Sequence, residues 1–169
     1  MTCEWCGAAT RPGRRGPTPR FCSGRCRVAA HRARGQLPRE LVSRATWTRR
    51  DGKRPIQCDG SPASSTNAAT WAPYLAVLQA NAGDGLGIML GQGLACWDLD
   101  HCLDGGAVKP WAVEVLSGIN GAIWIERSLS GDGLHVFVHA DESPGWRRGG
   151  VEFYSRHRFI AVTGDRFPR

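Results

Sequence analysis

From residue 86 to residue 162 the sequence is a succession of short apolar runs separated by short polar or glycine-bearing turns. Leu86-Gly87-Ile88-Met89-Leu90 and Leu94-Ala95-Cys96-Trp97-Asp98-Leu99 flank Gly91-Gln92-Gly93. Residues 122–128 and 134–139 flank Leu129-Ser130-Gly131-Asp132-Gly133, and residues 151–154 and 159–162 flank Ser155-Arg156-His157-Arg158. Runs this short, rich in β-branched and aromatic residues and bounded by turns, are strands rather than helices. Adjacent strands joined by short turns predict three hairpins, and residues 110–116 between two of them have helical character. The expected fold class is α+β, an antiparallel or mixed sheet with helices on one face.

Asp98 and Asp100 lie at the far end of the second run. Residues i and i+2 of a strand share one face, so the two carboxylates project together. Their repulsion is relieved by a divalent cation such as Mg²⁺, which is held by one or two carboxylates plus waters and substrate phosphates. The structural alternative is a strand running into the turn Asp104-Gly105-Gly106, with both acids as solvated end residues. Ser130-Gly131-Asp132-Gly133-Leu134-His135 carries a second signal. Glycines let backbone amides approach an anion, and Ser130 and His135 add side-chain partners; an ordinary hairpin turn is the alternative. Glu152 is a carboxylate inside an apolar strand, suited to a two-metal phosphoryl-transfer site or to a half-exposed strand face. Arg156 and Arg158 follow in the turn, placed to neutralise a triphosphate.

The 169-residue chain carries a net charge of +7, which favours an anionic partner, with nucleic acid first. It has no apolar run long enough to span a bilayer and no signal peptide at Met1-Thr2-Cys3-Glu4-Trp5-Cys6, so a cytoplasmic protein is expected. In that compartment seven cysteines are poor disulfide staples. Cys3 and Cys6, then Cys22 and Cys26, form two close pairs that match a tetrahedral structural zinc site, with Ser23 capping a short helix that Gly35 ends. Eight arginines, from Arg11 to Arg34, crowd this module and suit a phosphate backbone. The expected organisation is a zinc module at 1–35, a linker at 36–46 and the main domain at 47–169.

Within the main domain, Asp51-Gly52 predicts a hairpin over 47–56 whose tip carries Lys53 and Arg54. Lys53 can reach a triphosphate or a template, or stand as an exposed basic turn. Thr70 is the expected cap of a core helix running to about Asn81, with Trp71, Leu75 and Leu78 on its apolar face.

Taken in order, Trp97-Asp98-Leu99-Asp100, the Ser130 to His135 segment, and Glu152 followed by Arg158-Phe159 and Thr163-Gly164 resemble the archaeo-eukaryotic primase superfamily. The likeness is to the primase-polymerase domains of phages and plasmids. It covers roughly residues 47 to 167. The resemblance implies an RRM-like sheet as catalytic core with a small α/β unit, and template-directed nucleotidyl transfer on single-stranded DNA. It implies that Asp98 and Asp100 bind Mg²⁺ or Mn²⁺, with Glu152 as the third acid. Ser130, Gly131, Gly133 and His135 would hold the NTP or dNTP phosphates, aided by Lys53, Arg156 and Arg158. The family often carries Asp followed closely by a basic residue where this chain has Glu152-Phe153-Tyr154. A monomer is expected, and a replicative helicase on another chain is a candidate partner. Two other readings fit the same residues: a non-catalytic, zinc-dependent nucleic-acid-binding accessory, and a metal-dependent nuclease.

Overall fold

The computed structural model describes residues 3, 8–10, 19–27 and 37–168. The chain divides into two compact units, Met1–Gln36 and Leu37–Arg169. Among the described residues no helix is long and apolar enough to cross a membrane.

In the first unit, residues 24–27 are helical and Ser23 caps them. Its hydroxyl accepts from the Cys26 amide at 3.2 Å, satisfying one of the free donors of a helix start. The Cys3 amide donates to the Ala8 carbonyl at 2.7 Å.

The second unit is mostly β, with a few short helices, and every strand pairing among the described residues is antiparallel. Strands β1 (Trp47–Asp51), β2 (Arg54–Ile56), β3 (Gly85–Met89) and β11 (Phe159–Val162) form one sheet in the order β11-β3-β1-β2. Strands β4 (Leu94–Leu99), β7 (Ala122–Arg127), β8 (Leu134–His139), β9 (Trp146–Arg148) and β10 (Val151–Tyr154) form a second, in the order β7-β8-β4-β10-β9. A small pair, β5 (Leu103–Asp104) with β6 (Ala107–Val108), stands apart.

One apolar cluster takes Trp47, Ile88 and Ile160 from the first sheet and Leu94, Cys96, Trp124 and Phe137 from the second. A second cluster, with Ala95, Leu99, Leu134 and Val136, covers the other face of the five-stranded sheet beneath the helix Pro110–Gly118, which contributes Ala112. Strand β4 is apolar on both faces because it is covered on both. Leu41, in the stretch read as a linker, is fully buried in the first cluster, and its carbonyl accepts from the Trp47 indole at 3.0 Å.

Three expectations about local structure change. Residues 91–93 do not close a hairpin, because β3 and β4 belong to different sheets and share only the bridge between Gly91 and Leu94. Gln92 and Gly93 both have positive φ, so the chain reverses in one tight turn and each strand finds its partners elsewhere. The 155–158 turn likewise carries the chain from β10 in one sheet to β11 in the other. The 70–81 helix is shorter: a 3-10 turn at Ala68–Thr70, then the α-helix Tyr74–Gln79. Pro73 disfavours helical backbone at the residue before it, so the helix starts after it and its phase shifts. Val77 is buried while Leu75 and Leu78 are exposed.

Candidate active site where the two sheets open

Alternation along β4 points Leu94, Cys96 and Asp98 toward the other sheet, and Asp98 comes where the apolar packing ends. The register then gathers charge in one cross-strand row. Asp98 lies opposite His135 of β8 on one side and Glu152 of β10 on the other. His135 is in turn opposite Glu126 of β7, and Glu152 is opposite Arg147 of β9.

Beside this row is a cavity of about 670 Å³. Asp98, Asp100 and His135 line it from the five-stranded sheet, Ser128 and Ser130 from the β7–β8 turn, Lys53 from the β1–β2 turn, and His157 and Arg158 from the crossover into β11. Acids on the floor and cations around the rim give a site that can take a polyanion together with a divalent cation.

The carboxylates differ in their surroundings. Asp98 has its pKa raised, first by burial and then by Asp100 and Glu152, against the opposing pull of His135 and Arg158. Its closest charged contact is His135 Nε2, 3.8 Å from Oδ1, which is an ion-pair distance and too long for a hydrogen bond. Among the described residues neither Asp98 nor Asp100 accepts a side-chain hydrogen bond; Asp100 Oδ2 has only Arg147 at 3.8 Å. Two carboxylates with open lone pairs on one cavity wall, one of them strained by burial and like charge, fit a hard divalent cation.

Glu152 is buried at 4 % exposure and its oxygens are engaged. Arg147 Nε is 2.7 Å from Oε1, the Tyr154 hydroxyl donates to Oε2 at 2.6 Å, and Arg158 approaches Oε2 at 3.7 Å. Arg158 also stacks over the Tyr154 ring at 4.4 Å. Glu152 thus braces two arginines and does not line the cavity.

The structure therefore brings together Asp98, Asp100, Ser130, His135, Lys53 and Arg158. Gly131 and Gly133 are not part of the lining. Their amides close the turn itself, donating to the Ser128 carbonyl at 3.0 Å and the Ser128 hydroxyl at 3.2 Å, which turns them away from an incoming anion. Asp132 of the same turn is held by Ser130 and His101, which lower its pKa. Arg156 is exposed and lies off the cavity. Sequence reasoning gave no role to Glu126, Arg147, Tyr154 or His157. The signal for Glu126 was present, a carboxylate inside the apolar run 122–126, as for Glu152.

In the first unit, Cys3, Cys22 and Cys26 bring their sulfurs within 4.8 Å of one another, a set that can hold a metal such as zinc. Cys6 lies outside the described residues, as do Arg11, Arg14, Arg15, Arg32 and Arg34.

No protein-family model matches the chain, and no curated protein matches it.

Proposed function

We propose that the chain is a metal-dependent nucleotidyltransferase, a primase-polymerase that joins nucleotides on a single-stranded DNA template. The reading rests on the resemblance of its ordered motifs to the archaeo-eukaryotic primases, which implies an RRM-like role for the five-stranded sheet. The observation that carries it is the pairing of Asp98 and Asp100, with open lone pairs, on a cavity rimmed by Lys53 and Arg158.

In this reading Asp98 and Asp100 hold Mg²⁺ or Mn²⁺, which would activate a hydroxyl nucleophile and neutralise the leaving pyrophosphate. Lys53 and Arg158 bind the triphosphate of an NTP or dNTP, while the Ser130 hydroxyl is held by Asp132. Glu152 keeps Arg158 at the cavity edge and also binds Arg147. Zinc on the cysteine set orders the arginine-rich module, whose charge attracts template.

The test is incubation with single-stranded template and NTPs or dNTPs, with Mg²⁺ or Mn²⁺, with and without primer, beside an Asp98→Ala/Asp100→Ala double variant. Wild type is expected to give nucleotide-dependent product, and the double variant to lose it by at least about 10²-fold. Identical empty lanes for both overturn the proposal. Salt-sensitive DNA binding that survives the double substitution, with no product, favours the accessory reading. Shortening of labelled DNA favours the nuclease.

A further inference from the structure

We propose that Glu126 is a positioning residue that fixes the tautomer of His135, so that the neutral ring presents Nε2 to the cavity as a hydrogen-bond acceptor. Glu126 is fully buried and sits where the segment following β11 crosses onto the edge of β7. Three donors converge on its carboxylate. The Thr163 amide donates to Oε1 at 3.0 Å, and the Trp124 indole and the Gly164 amide donate to Oε2, each at 2.9 Å.

An amide N–H and an indole N–H have no lone pair to offer, so both oxygens act as acceptors. The fourth contact is His135 Nδ1, 3.3 Å from Oε1. Only an N–H at Nδ1 satisfies it. A neutral imidazole carries a single N–H, so Nε2 is left with its lone pair, on the side of the ring that faces Asp98.

This deepens the nucleotidyltransferase reading, on which its functional consequence rests. Nε2 and the Asp98 carboxylate, 3.8 Å apart, are both acceptors. The group that settles between them has to bring a hydrogen or a positive charge. A divalent cation on Asp98, a water, or a nucleotide or primer hydroxyl meets that condition, and an unprotonated phosphate oxygen does not. The phosphates are then left to Lys53 and Arg158.

Ring-nitrogen NMR on the ¹⁵N-labelled full chain tests the assignment, at alkaline pH without metal or nucleotide, with His135 identified by the loss of its signals in His135→Gln. Wild type is expected to show a protonated Nδ1 and an unprotonated Nε2. Trp124→Phe removes one of the three competing donors and is expected to keep that pattern. Glu126→Gln places an amide N–H₂ among donors, and the Nδ1–H signal is expected to be lost or to share intensity with Nε2–H. A protonated Nε2 in wild type overturns the proposal, as does a folded Glu126→Gln chain with an unchanged ring spectrum. If Glu126→Gln does not fold, the wild-type spectrum alone decides. Because the spectrum is read without substrate, it can fail while the polymerisation assay succeeds, and the reverse.

Discussion

Glu126 and Glu152 flank the row that contains Asp98, and their oxygens are fully engaged, the first by backbone amides, an indole and a histidine, the second by two arginines and a tyrosine. Between them Asp98 and Asp100 are left with open lone pairs, although Asp98 is largely buried. Burying a carboxylate is costly unless hydrogen bonds or counter-charges compensate. The flanks supply that compensation from the chain. The centre has only the longer-range charges of His135, Arg158 and Arg147 and no hydrogen bond, which leaves its lone pairs available to a ligand. A carboxylate is fully engaged in one place and left open in the other because of what the neighbouring strands offer it.

The difference can be broken experimentally, and the largest effect belongs to the flank. Glu126→Ala strands three N–H donors in the interior and is expected to destabilise the second unit by about 3–5 kcal/mol, read from the shift in denaturant midpoint. A cost under about 1 kcal/mol would mean that the carboxylate is not an anchor.

In the centre the sign reverses. Asp98→Asn removes a charge that burial, Asp100 and Glu152 all disfavour, so without divalent cations the variant is expected to melt about 2–4 °C above wild type at neutral pH, the shift that ~1 kcal/mol gives in a domain of this size. The folded pKa of Asp98 is raised, so the folded state gains stability relative to the unfolded chain as pH falls toward and through that value. The advantage of the Asp98→Asn variant is therefore expected to shrink on acidification, and thermal melts across the mildly acidic range check it. A lower melting temperature for Asp98→Asn at neutral pH would show that the centre, too, is compensated by the chain.

The smallest effect is at the other flank. Glu152→Gln keeps an acceptor for Tyr154 but loses the charge facing Arg147, whose side chain is 68 % exposed. Solvent screening holds the expected cost to about 1 kcal/mol or less, and denaturant midpoints at low and high salt should converge.

The site was legible where chemistry and strand alternation act locally. Asp98 and Asp100 stand out as acids ending an apolar run, and His135 follows a turn whose two strands do pair. The partition into two sheets was not legible. Gly91-Gln92-Gly93 has the composition of a hairpin turn, and only the distant partners β11 and β1 on one side and β10 and β8 on the other separate β3 from β4. Glu126 is a similar case, because its role depends on amides some 37 residues away in sequence, at Thr163 and Gly164. The glycine turn differs from its expected role for the opposite reason: its amides bond to Ser128, a neighbour close enough that only the backbone path reveals it. At residue 73 a single proline was enough to move a helix and exchange its buried and exposed leucines and valine.

The crossing of the 163–164 amides onto Glu126 also orders events in time. A chain synthesised through β8 already contains Asp98, Glu126 and His135, yet it lacks β10, β11 and the two amides that clamp the carboxylate. Closing such sequence-distant pairings carries a large loop entropy before contacts reward it, which slows the last stage of folding. The cross-strand row around Asp98 is therefore complete only once β10 and the 163–164 amides are in place.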